Sequence, residues 1–339
     1  MFDFIPTEYF LLAFGLILLI KGGDWFVDAA SSIAKRLKLP ELLIGATVVS
    51  IGTTLPEVMT SAMGAMSGAG DIAYGNAIGS IICNTSLIAA ITMAIKPANV
   101  KRKTLIFPVA AFFIAAVFYA LNAYIAQGFA LWSGIILLCG FVAYMIINVV
   151  NMKRNPEEEE HEEEKLDTPE IPEEKPSAAG LIKDILMLIA GAAIIAVGAY
   201  LLVESATVIA TQLGVPESVI GLTVVAIGTS LPELVTAITS LLKGHGALSL
   251  GNIIGANLFN LVLVSGAAIT IAPFALPESI ADFGGINSSL IIDIPVALGV
   301  MAILTIPTMI RGKLSRVQGI ALLVIYAAFS ASQFILAMV

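Results

Sequence analysis

Gly45-Ala-Thr-Val-Val-Ser-Ile-Gly-Thr-Thr-Leu-Pro-Glu57 returns 176 residues later as Gly221-Leu-Thr-Val-Val-Ala-Ile-Gly-Thr-Ser-Leu-Pro-Glu233, aligned without a gap. The same shift sets Gly75-Asn-Ala-Ile-Gly79 on Gly251-Asn-Ile-Ile-Gly255 and Asn84 on Asn260. Backwards it pairs Asp28 with Glu204, Pro40 with Pro216 and Glu41 with Glu217. The chain is a duplication, and the hydropathy around the two copies says what was duplicated.

Of 339 residues, 58% are hydrophobic and only 12% charged, with a mean hydropathy of +0.97. A soluble domain carries about a quarter charged residues, so a soluble enzyme is excluded. A bilayer-spanning helix needs about 20 apolar residues, because in hydrocarbon the backbone must satisfy its own hydrogen bonds. Runs of that kind predict ten helices, near 8-33, 42-68, 73-95, 104-124, 129-151, 181-203, 218-242, 248-272, 286-308 and 317-338. The fold class is an all-α polytopic membrane protein, ten transmembrane helices in two five-helix repeats. An odd number of spans per repeat makes the second copy enter the membrane with opposite polarity, the inverted-repeat plan of many secondary transporters.

Charge divides the chain further. Eleven of the 25 acidic residues fall between Glu157 and Glu174, opposed there by Lys165 and Lys175, a net of −9; the whole chain is at −8, so the remainder is at +1. The acidity describes one linker and says nothing of nucleic acid, which is not expected as a partner. Residues 152-179 join a first repeat, 1-151, to a second, 180-339, and are expected to be a disordered cytoplasmic tether. The tether lacks the alternating Asp/Asn and central Gly of an EF-hand loop. With the N-terminus outside, 16 of the 17 Lys and Arg residues fall in inner loops, leaving only Lys21, inside the first span. Cell-membrane localisation with both termini extracytoplasmic follows from that bias. The N-terminus has no basic leader of a cleavable signal. Cys83 and Cys139 sit in apolar runs, so a disulfide framework is not expected, and both histidines, His161 and His245, are expected to be solvated.

The chemistry lies in the two quoted stretches. Proline with a Gly four residues before it should break each helix near the bilayer centre, with Thr54 and Ser230 as caps of the following half-helices. Carbonyls around Ser50 to Gly52 and Ala226 to Gly228 would then face a cavity. Glu57 and Glu233 are the carboxylates left deepest in the membrane, and intramembrane ionisable groups mark functional sites. Ser80 with Asn84, and Ala256 with Asn260, share a helix face at i, i+4 spacing. Gly75, Gly79, Gly251 and Gly255 have the small-xxx-small spacing of close helix packing. Carboxylates, hydroxyls, carboxamides and carbonyls form an all-oxygen set that suits hard cations such as Ca2+ and Na+. Two negative charges in a low dielectric need roughly two positive charges to be occluded. One Ca2+ or several monovalent ions meet that need, and an empty ionised site crosses poorly, which is the logic of antiport.

On these residues the chain resembles the Ca2+/cation antiporter superfamily, and within it the prokaryotic Na+/Ca2+ exchangers. Gly-Thr-Thr-Leu-Pro-Glu57 and Gly-Thr-Ser-Leu-Pro-Glu233 look like the signature pair of that family's alpha repeats, accompanied by the Gly-Asn-x-Ile-Gly stretch. The resemblance implies a central Ca2+ site of Thr53, Glu57, Thr229 and Glu233. It implies flanking Na+ sites with Ser50, Thr54, Ser80, Ala226 and Ser230, of which Ser50 and Ala226 act through carbonyls, and a central cavity lined by Asn84 and Asn260. Ala256 departs from relatives that have Ser there, which puts the strength of one flanking Na+ site in doubt. Asn260 stands where potassium-dependent relatives carry Asp, which argues against K+ co-transport. The Gly-Asn-Ala-Pro-Glu type of signature of proton/calcium relatives is missing.

The expected function is thus a Na+/Ca2+ antiporter acting as a monomer in the lipid bilayer, with Ca2+ and Na+ as cargo, no cofactor and no enzymatic activity. H+/Ca2+ exchange on the same two carboxylates is the alternative within transporters. A cation channel would need a filter open to both sides, and a scaffold gives no reason for two symmetric buried Glu.

Overall fold

The computed structural model describes residues 7–37, 39–97, 99–154, 178–212, 226–278 and 283–337. The tether lies almost wholly outside them, as do His161, Pro216, Glu217 and Gly221 to Val225. What is described is helical apart from one short ribbon. The helices are α1 (Thr7–Arg36), α2 (Glu41–Met66), α3 (Gly70–Ile95), α4 (Arg102–Ala126), α5 (Leu131–Arg154), α6 (Ala178–Gln212), α7 (Leu231–Leu242), α8 (Gly246–Ile271), α9 (Ser289–Arg311) and α10 (Arg316–Ala337). Eight of them are long and apolar enough to cross a membrane. The others are α7, preceded by the turn Ala226–Thr229, and the 22-residue α10.

Local chemistry sets the ends. Helix α1 carries Glu8 in its first turn and Lys35 and Arg36 in its last, each sign opposing the helix dipole. Helix α4 stops where Gln127 turns left-handed at φ 52°, and α9 stops at Gly312, φ 69°, where glycine takes that conformation without strain. Four helices contain a π-helical turn: Ser289–Asp293 in α9, Gly45–Val49 in α2, Asn84–Ala89 in α3 and Asn260–Ser265 in α8. The last two are 176 residues apart and open on the two asparagines singled out above. Such turns widen a helix, spoil one backbone hydrogen bond and recur at functional sites.

Helices α1 and α6 run antiparallel in close contact. A Cβ placed on Gly15 would lie 2.8 Å from the Gly198 carbonyl oxygen, and one on Gly198 would lie 2.9 Å from that of Gly15. Gly22 faces Ile195, and Gly191 faces Phe26. Gly191 repeats Gly15 and Gly198 repeats Gly22, so the contacts exchange under the repeat as an isologous two-fold pairing requires. This pair has its own apolar cluster around Leu19, Phe26, Val27, Leu188, Ile195 and Ala199. A larger cluster joins α3, α4, α8 and α9 through residues such as Ile81, Phe112, Phe259 and Met301. Glycines again set the contact where α8 crosses α2: Gly251 lies under the Leu42 backbone and Gly255 under Ala46 and Ser50. That bears out the small-residue spacing for the second pair.

The connections gather at two ends. At one, Val100 N–H donates to the Gly312 carbonyl at 2.9 Å, Arg102 reaches the Ile310 carbonyl, and Arg36 pairs with Asp184 at 2.6 Å. Lys243, in the turn between α7 and α8, reaches Asp28 at 2.8 Å and Asp24 at 3.3 Å on α1. At the other end β1 (Gly128–Phe129) pairs antiparallel with β2 (Phe274–Ala275), and Leu276 N–H donates to the Gln127 carbonyl at 3.0 Å. Among the described residues that second end carries no Lys or Arg.

His245 corrects an expectation. It is buried rather than solvated, its Nδ1 2.7 Å from Glu41 Oε1, with Ser31 Oγ 3.1 Å from the same oxygen. A seat between α1, the start of α2 and the start of α8 removes it from water, and Glu41 supplies the partner that a buried imidazole requires.

Candidate ion-binding site

The two Pro-Glu stretches do not break alike. In the second copy, Ser230 (φ −90°, ψ 8°) interrupts the chain between the turn Ala226–Thr229 and α7, and Pro232 follows in the first turn of α7. That is the expected break, although Ser230 makes no capping hydrogen bond. In the first copy the helix runs unbroken from Ser50 to Met66 with Pro56 inside it, and the departure from α geometry lies upstream, in the turn Gly45–Val49. Proline deletes the hydrogen bond that its own N–H would make to the Gly52 carbonyl and its ring crowds that carbonyl, yet the helix continues through it. Thr54 is therefore an interior helical residue and not a cap.

The polar side chains on these helices converge. Ser50, Thr53, Thr54 and Glu57 from α2, Ser80 and Asn84 from α3, Ser230 and Glu233 from the start of α7, and Asn260 from α8 are all buried. Glu57 and Glu233 are each 0% exposed, and their carboxyls lie near enough to interact through space. Among the described residues, both oxygens of each carboxyl, the Thr54 and Ser230 hydroxyls and both ends of the Asn84 and Asn260 carboxamides make no well-aligned hydrogen bond, although the Thr53 and Thr54 hydroxyls stand beside the Glu233 carboxyl and Ser230 beside the Cys83 thiol. A buried carboxylate without a well-aligned partner costs several kcal/mol, and here two occur beside four further side chains in the same state. Water or cations must complete the oxygens, which suit hard cations, while the two carboxamide NH2 groups are donors and need an acceptor such as water.

Other members of the sequence-derived set are placed differently. Ser50 Oγ lies 2.7 Å from the Gly45 carbonyl oxygen and 3.0 Å from that of Asn252. Thr53 donates to Asn252 Oδ1 at 3.2 Å. Thr229 is half-buried in the turn before Ser230, and Ala226 opens that turn. Ala256 is fully buried, one residue past the contact of Gly255 with Ser50. Elsewhere on α1 and α9, Asp24 and Asp28 pair with Lys243, and Asp293 accepts from Gln333 Nε2 at 2.9 Å.

Two residues escaped the sequence reading. Asn76 Nδ2 donates to the Glu57 carbonyl at 3.0 Å and to Ser61 Oγ at 2.8 Å. Its repeat mate Asn252 donates to Thr236 Oγ1 at 2.9 Å, and Thr236 bonds the Glu233 carbonyl at 3.0 Å. Each holds the turn that carries its repeat's carboxylate. Their signal was the recurring Asn of Gly-Asn-x-Ile-Gly, read only for its glycines.

The model of the family described as sodium/calcium exchanger protein matches residues 7–150 and 183–335. The chain belongs to that family. This exchanger-family chain is 31% identical over 355 aligned residues to the sodium/calcium exchanger MaX1 of Methanosarcina acetivorans, covering 96% of the chain and 98% of the relative. It is 37% identical over 263 residues to the inner membrane protein YrbG of Escherichia coli, covering 78% and 79%. Among solved structures, it is similar to the sodium-calcium exchanger NCX_Mj soaked with 2.5 mM Na+ and 0.1 mM Ca2+. That match has a TM-score of 0.77 at 29% identity over 97% of this chain and 99% of the other. The fold is accordingly that of a membrane exchanger, and the family is one of transporters and not of enzymes.

Proposed function

We propose that the chain is a Na+/Ca2+ antiporter that works by alternating access at a midplane site around Glu57 and Glu233. The observation that carries this reading is the set of buried oxygen atoms left without a well-aligned hydrogen bond: two carboxyls, two hydroxyls and two carboxamides drawn from four helices. The names of MaX1 and NCX_Mj support the same cargo. Ca2+ is held by Glu57 and Glu233 with Thr53 and Thr229. Na+ occupies flanking positions formed by Ser50, Thr54, Ser80, Ala226 and Ser230, while Asn84 and Asn260 line the centre. H+/Ca2+ exchange would use the same Ca2+ ligands, and is disfavoured because the relatives MaX1 and NCX_Mj are named for sodium and calcium.

The two charges set the cycle. One Ca2+ neutralises the pair, as do several Na+ ions, and in either state the occluded site is tolerable in low dielectric. Released of both, two ionised carboxylates a short distance apart hold the carrier on one side, so net flux of one ion requires counterflow of the other. The ten spans form two inverted repeats, 1-151 and 180-339, joined by the cytoplasmic tether 152-179, with both termini outside and one chain sufficient.

The test is Ca2+ uptake by proteoliposomes loaded with Na+, compared with K+ loading or a pH gradient. Uptake should follow the Na+ gradient alone. Glu57→Gln or Glu233→Gln keeps shape and hydrogen-bonding capacity, removes one compensating charge and should abolish uptake in folded protein. A properly inserted variant exchanging Ca2+ at the wild-type rate would remove the carboxylate pair from the site, and uptake driven by pH would transfer the reading to H+/Ca2+ exchange.

A further inference from the structure

Thr53 and Thr54 are adjacent hydroxyls on one helix with opposite fates. That of Thr54 stands beside the Glu233 carboxyl without a well-aligned hydrogen bond, while that of Thr53 is engaged across the repeats. The direction of that engagement is decided 183 residues away, at Thr236. A hydroxyl has one hydrogen, and Thr236 Oγ1 lies 2.9 Å from the Pro232 carbonyl oxygen and 3.0 Å from that of Glu233. Carbonyls only accept, so the Thr236 hydrogen points to the backbone of its own helix. Toward Asn252 this hydroxyl can then only accept, and the 2.9 Å contact requires the Asn252 NH2. The carboxamide cannot turn over without setting its oxygen against the lone pairs of Thr236.

With its NH2 committed, Asn252 turns Oδ1 to Thr53, and Thr53 must donate across the 3.2 Å between them. The Ser50 carbonyl at 3.5 Å and the Glu233 carboxyl also lie in reach, and an ionised carboxyl, like the carbonyl, takes a hydrogen and offers none. Were the Thr53 hydrogen to turn to Glu233, the Thr53 and Asn252 oxygens would face each other with no hydrogen between them, so the committed carboxamide holds that hydrogen and leaves the Thr53 lone pairs for the cavity. Asn252 is 1% exposed and Thr236 1%, so water does not compete for these bonds.

We infer that Thr236 and Asn252 form a polarity relay that presets Thr53 as a cation acceptor, which makes them positioning residues for the exchange reaction. The relay crosses the repeats: Thr236 and Asn252 belong to the second, Thr53 to the first. It begins one turn past Glu233, so the helix bearing one carboxylate orients a hydroxyl on the helix bearing the other. Preset lone pairs spare the site the reorientation that an arriving Ca2+ would otherwise have to drive.

The inference rests on the proposed Ca2+ site and is tested by equilibrium binding of Ca2+ to the purified full chain, with thermal melting of each variant measured without Ca2+. Thr236→Val removes the hydroxyl at nearly constant volume, frees the Asn252 carboxamide to turn over, and should raise the Kd for Ca2+ roughly three- to ten-fold, the scale of one hydrogen bond. Thr236→Ser should bind within about two-fold of wild type on that scale. In a Thr53→Val background Thr236→Val should have no further effect on Kd, because there is no hydroxyl left to orient. Should Thr236→Val not fold, Asn252→Ala takes its place in the same cycle with the same non-additivity expected. A merely structural role would instead lower the melting temperature and weaken binding by the same factor in both backgrounds. Additive effects, or an unchanged Kd in Thr236→Val, overturn the relay. Glu57→Gln separates the two readings: if it binds Ca2+ like wild type, the site itself is misplaced; if it does not bind and the cycle is additive, only the relay fails.

Discussion

Ala256 repeats Ser80, yet only Ser80 has a side-chain oxygen. Ala256 is fully buried on α8, four residues before Asn260 with its unpartnered carboxamide. Ala256→Ser would add one neutral ligand where the proposed Na+ site relies on carbonyls, and the gain should be modest, about 1 kcal/mol. The Na+ concentration for half-maximal Ca2+ efflux should fall several-fold, while the Ca2+ affinity measured without Na+ stays nearly constant. A strong shift in Ca2+ affinity with unchanged Na+ dependence would put residue 256 in the wrong site.

Between elements, backbone proximity sets the tolerance for change. Gly198→Val would drive a branched side chain into α1, where even a single Cβ stands 2.9 Å from both the Gly15 oxygen and the Leu19 nitrogen. Backbone cannot yield as a flexible side chain can, so overpacking of about 1–3 kcal/mol is expected, read as a melting temperature lowered by several degrees. Gly140→Ala on α5 is the control: its Cβ would meet only Val262, at 3.9 Å, and exchanging Gly for Ala in a helix favours the helix. Equal losses in the two variants would mean that the α1–α6 contact is looser than the glycines indicate.

Across the molecule, the connections fall into a basic end and an end without described Lys or Arg, and the bias of Lys and Arg toward inner loops sets the expectation that the basic end is cytoplasmic. The side-chain ties of the α7–α8 turn have no copy at the other end among the described residues. Positions 67 and 69, which repeat Lys243 and His245, are Ser67 and Ala69, so the ties from the α7–α8 turn to Asp24, Asp28, Ser31 and Glu41 exist on one side only. The duplication repeats its backbone pairing at both ends, Val100 with Gly312 and Leu276 with Gln127, and carries these side-chain ties at one. Sidedness is checked with a membrane-impermeant thiol reagent on intact cells: Ser67→Cys, at the end without Lys or Arg, should be labelled and Lys313→Cys should not. The reverse pattern would invert the topology without disturbing the fold.

Hydropathy, the 176-residue repeat and the placement of Lys and Arg are properties of the chain read in order. By themselves they determined that this is a helical membrane protein built by duplication, and which polar residues stand in its apolar runs. A carboxylate in a run such as Val48 to Met66 cannot be mistaken for surface, because hydrocarbon penalises it wherever the helix packs. Hydrogen-bond direction and burial are different in kind, since they depend on neighbours brought from another helix. Only the tertiary structure decided that α2 runs through Pro56 without breaking, its departure from α geometry lying upstream at Gly45–Val49. Only there does His245 meet Glu41, 204 residues away in sequence, and leave the solvent. Thr53 and Thr54 are indistinguishable in sequence. What separates them is Asn252, which arrives on α8 where Gly251 and Gly255 let it come close enough to take one hydroxyl and leave the other for the cavity.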